Sequence, residues 1–141
     1  MGILSWLTGS KSGKGASGAT EMQPGRGSVE IVGESYYQKQ LGKIVGGKTE
    51  DGVKHLCVAL LIPEVDNPYD KNAVRVEIGG EKVGQLSSEN AEQYRISFGN
   101  IVGQCPAKIV GGWDRGDGEE GHFGVKLKVV WPPKISNKVP S

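Results

Sequence analysis

Apolar positions along the chain recur mainly with the two-residue period of strands. The clearest stretch is "HFGVKLKVVW", where Phe123, Val125, Leu127, Val129 and Trp131 alternate with Gly124, Lys126 and Lys128, as expected of a strand with one face on a core. "NAVRVEI" does the same: Val74, Val76 and Ile78 share one face, Arg75 and Glu77 the other. Gly79 and Gly80 separate it from "EKVGQLS", and a diglycine between two strand-like runs predicts a hairpin, because both turn positions can take positive φ. The run Leu56 to Ile62 is continuously apolar and closed by Pro63, which predicts a strand buried on both faces. "SVEIVGESYYQKQL" and "CPAKIVGGW" add further strands, the first on its aromatic and β-branched residues.

The period changes once, after Ser87 and Ser88. A serine cap is followed by Glu89 and Glu92, and by Ala91, Tyr94 and Phe98 at spacings of three and four, before Gly99. These features predict a short capped helix. Five or six short strands with one or two small helices, separated by polar loops such as "DRGDGEEG", predict a mainly β domain built as a compact, partly open barrel.

Composition sets the limits of that domain. The chain has 141 residues, enough for one domain with a modest core. Its 23 glycines are an excess, and many lie in "GSKSGKGASGATEMQPGRGS", which has no apolar periodicity. Residues 1–28 and 132–141 therefore read as flexible tails around a domain at 29–131. Removing Lys11, Lys14, Arg26, Lys134 and Lys138 from the 17 bases, and Glu21 from the 16 acids, leaves 12 against 15 for the domain, a net of −3. A surface gripping a long nucleic-acid backbone should be clearly basic, so any such contact is small and local.

Enzymatic signatures are thin. "GSKSGKG" has three residues where a phosphate-binding loop needs four, and Gly15 where it needs a hydroxyl. His55, Cys57, Cys105 and His122 lack zinc-site spacing. Asp66 and Asp70 flank Pro68, but turn residues of this kind have local backbone partners. "MGILSWLTGS" is too short to span a membrane and lacks a signal-peptide or myristoylation pattern. The expectation is an intracellular, monomeric, non-catalytic protein with no cofactor, no metal and no membrane partner.

Three segments carry a family resemblance. "VGESYY" (Val32 to Tyr37), "DNPYDKNAVRV" (Asp66 to Val76) and "EKVGQLS" (Glu81 to Ser87) occur in the order and spacing of the HIRAN domain, which the chain resembles from about Val29 to Trp131. The resemblance implies an OB-like barrel that binds the 3′-hydroxyl end of single-stranded DNA, in DNA repair or replication; the chain then either works alone or relies on a separate helicase or nuclease for activity. Carried over by motif position, the pocket consists of Tyr36, Tyr37, Asn67, Tyr69, Asp70 and Phe123, with Lys71 adding positive charge and Gln85 following the "VG" pair. Aromatic rings stack on bases, and a carboxylate accepts a hydrogen bond from a terminal hydroxyl.

Two positions depart from that pattern. Ser35 stands where the eukaryotic DNA-binding member has arginine, and Gln85 where it has histidine; both changes remove side chains able to contact phosphate, which argues for weaker DNA affinity than in that member or for a changed ligand. Simpler roles are also open to these residues. Phe123 is in phase with the apolar face of its strand, Asn67, Pro68 and Asp70 can serve as turn formers, and in a regular strand Tyr36 and Tyr37 point to opposite faces. The alternative function is a protein-interaction module that keeps the fold without binding DNA ends. In either case the purified protein is expected not to hydrolyse ATP. Turnover above background that disappears in Asp70→Ala is the contrary result.

Overall fold

The computed structural model describes residues 18–136. The readings made on "MGILSWLTGS" and "GSKSGKG", and on positions 137–141, lie outside these residues. The order along the chain is β1 (Thr20–Glu21), β2 (Pro24–Glu30), a 3-10 helix (Glu34–Tyr37), α1 (Gln38–Val45), β3 (Val53–Pro63), β4 (Val74–Ile78), β5 (Glu81–Gln85), α2 (Ser88–Phe98), β6 (Gly103–Gly111) and β7 (Phe123–Val129).

Seven strands form one sheet in the order β2-β7-β6-β3-β4-β5, antiparallel throughout this path. The short β1 adds to β6 in parallel, at Gly103 and Gln104. The sheet is not closed into a barrel. Among the described residues, the one ladder contact between the two edges is the isolated bridge of Gln85 on β5 with Val32, two residues past the end of β2.

The long antiparallel pair β3–β6, in register from Val53–Gly111 to Leu61–Gly103, sorts side chains onto two faces. One face carries Ala59, Leu61, Cys105, Ala107 and Ile109 and is buried together with Val125, Leu127 and Val129 of β7. Both helices send their buried residues into the same core, Leu41 from α1 and Ala91, Tyr94 and Phe98 from α2. Tyr94 stacks on Phe98 at 4.8 Å between centroids and donates its hydroxyl to the Ile101 carbonyl at 2.6 Å. Its polar tip is thereby satisfied inside the core. The other face has no helix on it, so the run Leu56 to Ile62 is not buried on both sides. Leu56 is 75% exposed while Leu61, on the inner face, is fully covered.

Local chemistry explains the predicted elements. The hairpin turns on Gly79 and Gly80 at φ 62° and 83°, as a two-residue turn with both positions positive requires. Helix α2 is capped by the Ser87 hydroxyl, which accepts from Asn90 N at 3.2 Å, and ends at Gly99.

Two further expectations are corrected. "ESYYQKQL" is not a strand: β2 stops at Glu30, Gly33 turns the chain at φ 84°, and the double tyrosine lies on the 3-10 helix leading into α1. The segment expected to be a tail before residue 29 belongs to the sheet from Thr20 onwards, and Met22 is fully buried. The chain end holds it there. Met22 bridges Ile135, Gln23 N donates to Lys134 O at 2.8 Å and Ser136 N to Glu21 O at 2.8 Å. Backbone pairing with two partners offsets the ordering entropy that composition alone suggested could not be met.

Met22→Ala is therefore expected to cost about 2–5 kcal/mol, the range for truncating a buried large apolar side chain. At this domain size that corresponds to a drop of roughly 10 °C or more in thermal midpoint. An unchanged midpoint would place residues 18–28 outside the cooperative fold.

Candidate functional site

The loop between β3 and β4 is built by its own side chains. Asn67 Oδ1 accepts from Tyr69 N at 2.8 Å and Asp70 N at 3.0 Å, while Asn67 Nδ2 donates to Glu64 Oε1 at 3.1 Å. Asp70 Oδ1 accepts from Asn72 N at 2.9 Å, the Asp70 carbonyl from Ala73 N at 3.1 Å, and Glu64 N donates to Ala73 O at 2.8 Å to close the loop. The carboxamide and carboxylate of "NPYD" thus nucleate two successive side-chain turns. Chemical groups left facing outward are the Tyr69 ring, 96% exposed, and the second Asp70 carboxylate oxygen, which carries no hydrogen bond among the described residues.

The double tyrosine is seated from below. Val32 and Gln85 exchange backbone hydrogen bonds at 2.8 and 2.9 Å, so β5 holds the chain just before the 3-10 helix. From that helix Glu34 Oε2 accepts from Val125 N at 3.2 Å. At the start of α1, Gln38 accepts from Phe123 N at 2.8 Å and donates to Phe123 O at 3.0 Å. Beyond the point where β2 leaves β7, two side chains therefore continue the ladder along the β7 edge. Phe123 is the exception among the expected pocket residues. It is 4% exposed, and its ring lies in van der Waals range of the space a side chain on Gly42 would take. It packs under α1 rather than facing a ligand.

One contact chain joins the two motifs. Lys82, on β5, lies with its Nζ 5.7 Å from the Tyr37 ring centroid and 3.5 Å from Glu64 Oε2, and the other oxygen of Glu64 holds Asn67. Tyr37, Lys82, Glu64 and Asn67 therefore form a continuous surface from the 3-10 helix to the NPYD loop. Tyr36 is 84% exposed, and Lys71 and Gln85 are exposed as well; among the described residues no side-chain hydrogen bond or ion pair ties these three to the rest of the group. Sequence reasoning did not single out Lys82 or Glu64. The two-residue period places Lys82 only beside Glu77 across the hairpin, on the face opposite to Val76 and Ile78; its contacts with Tyr37 and Glu64 join three separate segments and leave no sequence signal.

Beside the loop is an open depression of about 510 Å³ lined by Tyr69, Asp70, Asn72, Ser88, Glu89 and Glu92. Its three carboxylates make it an acidic surface. No group of three or more His, Cys, Asp or Glu side chains among the described residues could hold a metal ion, and no helix among them is long and apolar enough to cross a membrane.

Both thiols lie away from this surface. Burial pushes Cys57 up from 9.0 to about 11 and Cys105 to about 12, the latter also raised by the neighbouring Cys57; burial also raises the Tyr94 hydroxyl. Raised values favour the protonated form in the folded state, so neither thiol is primed as a nucleophile. The stability they contribute is complete below pH 9. As the pH rises the unfolded chain ionises first, and the contribution is lost up to about pH 12. The denaturation midpoint is expected to fall steadily above about pH 9 and to fall less steeply in Cys105→Ala. Equal slopes for the two proteins would contradict this assignment.

Compared with known protein families, with curated proteins and with solved structures, the chain matches none.

Proposed function

We propose that the chain is a monomeric, non-catalytic HIRAN-type module that recognises the 3′-hydroxyl end of single-stranded DNA inside the cell and works beside a separate helicase or nuclease. The observation that supports this reading is the chain of contacts from Tyr37 through Lys82 and Glu64 to Asn67. It joins on one surface two motifs that lie some thirty residues apart in sequence, as a shared site needs. The single bridge between the edge strands at Val32 and Gln85 is in keeping with an OB-like, partly open barrel as the finer description of the sheet.

In this reading Tyr36 and Tyr69, the most exposed aromatics of the group, stack on terminal bases, and Lys82 faces a phosphate. Asp70 accepts the hydrogen of the terminal hydroxyl with its unengaged oxygen, while Asn67 shapes the loop. Phe123 contributes from beneath, by supporting α1.

A charged acceptor makes the hydroxyl bond worth roughly 1.5–3 kcal/mol, and a 3′-phosphate would meet like charge instead. Preference for the hydroxyl end is therefore expected to be about tenfold or more. Fluorescence anisotropy with matched oligonucleotides differing only at the 3′ end measures it, and Asp70→Asn should narrow the gap. Equal affinities in the wild type would leave Asp70 as a turn former only.

The second reading, a protein-interaction module without DNA-end binding, is favoured by the carboxylates of Asp70, Glu89 and Glu92 around the neighbouring depression, which repel a phosphate backbone. Flat anisotropy curves for both oligonucleotides would select it.

A further inference from the structure

The uncovered face of the sheet divides into two halves of different chemistry. Across β4 and β5 each cation meets an anion: Arg75 pairs with Glu77, and Lys82 with Glu64 at 3.5 Å. Across β3, β6 and β7 that pairing stops. Cross-strand register puts Leu56 opposite Lys108, Lys108 opposite Lys126 and Lys54 opposite Val110, all pointing away from the core. Lys54, Lys108 and Lys126 have no ion-pair partner within 4.0 Å among the described residues, and Lys128 donates only to the Arg26 carbonyl. The one acid in register with them is Glu30, opposite Lys126.

Two like charges placed directly opposite on neighbouring strands are unfavourable. Beside them Leu56, on the part of β3 that pairs with β6 alone, is 75% exposed, and Val58 and Val110 are only half-buried. An arrangement that costs stability in the free protein and combines unpaired cations with exposed aliphatics fits a partner that supplies anions and apolar groups at the same spacing.

We propose that this face of β3, β6 and β7 is a docking surface for an acidic, amphipathic segment of a partner protein, its carboxylates on Lys54, Lys108 and Lys126 and its apolar side chains on Leu56, Val58 and Val110. A peptide suits it better than a nucleic-acid strand. The face has no aromatic ring on which a base could stack and no arginine to grip a phosphate in two places. Outward side chains on each strand are spaced two residues apart, the period that an extended peptide presents on one side, and Lys54 and Lys108 each lie in register with an aliphatic residue, Val110 and Leu56. The surface does not depend on the DNA-end reading, since it shares none of the residues assigned to that site.

The test is an amide NMR titration of the whole chain with three probes: a short peptide alternating glutamate and leucine, one alternating lysine and leucine, and a single-stranded oligothymidylate. The acidic peptide should shift the signals of Lys54, Leu56, Lys108 and Lys126, and Lys108→Glu with Lys126→Glu should weaken it about tenfold or more. Lys108→Glu alone should leave the thermal midpoint unchanged or raise it, because it turns a repulsive cross-strand pair into an attractive one. Absence of shifts at this face, equal binding of the basic peptide, or a lowered midpoint in Lys108→Glu would overturn the proposal. Oligothymidylate shifting these signals in place of the acidic peptide would make the face a nucleic-acid surface and overturn it equally.

Discussion

The backbone approach at Gly84 is the constraint on which the arrangement of the candidate site depends. A side-chain carbon there would lie 2.7 Å from both the Val32 carbonyl and the Ile31 side chain, closer than atoms in a packed interior can come. Only a residue without a Cβ lets the end of β2 lie down on β5. That contact makes the Val32–Gln85 bridge possible, and the bridge fixes where Gly33 turns the chain into the 3-10 helix. Glu34 and Gln38 then reach the β7 edge, and Tyr37 comes to rest beside Lys82. The "VG" pair of β5 thus has a physical meaning: Val83 fills the core, and Gly84 makes room for the segment that carries the tyrosines.

Charge on this molecule is arranged by neighbourhood. The net acidity of the domain conceals an acidic depression beside the NPYD loop, a set of paired ions across β4 and β5, and an unpaired lysine cluster on β3, β6 and β7. Screening confines each group's influence to about 10 Å at ordinary salt, so the three surfaces can recognise different chemistry on one small domain. Ion pairs that keep contact with solvent, as the half-buried Lys82–Glu64 pair does, contribute little to stability. Their value here is positional, because Lys82 and Glu64 hold the loop and the 3-10 helix in one arrangement.

Much of the fold was legible from period and turn chemistry. The β4–β5 hairpin, the capped helix α2 and the alternating β7 each rest on several local signals that agree, which is where sequence reasoning is strongest. Helix α1 was missed although Leu41, Ile44 and Val45 have helical spacing and Gly46 is a natural stop, because eight residues give a weak periodic signal and the tyrosines before them favour strands. The start of the domain was misplaced for a different reason. Met22 is held by partners more than eighty residues away, and no local pattern announces such pairing. At the site, the loop-building roles of Asn67 and Asp70 and the core position of Phe123 follow from turn chemistry and strand phase. The part played by Lys82 does not, since its partners Tyr37 and Glu64 come from two other segments brought together only by the fold.

The seating of the double tyrosine by Gly84 brings Tyr37, Lys82 and Asn67 onto one surface. It is tested most directly by amide NMR titration of wild-type protein and Gly84→Ala with the same 3′-hydroxyl single strand. In the wild type the signals of Tyr37, Lys82 and Asn67 should move together along one saturation curve. In Gly84→Ala the free protein should already show displaced Tyr36, Tyr37 and Lys82 signals, and the shared response should be lost. Identical free spectra around Tyr37 and an unchanged titration in Gly84→Ala would contradict the account.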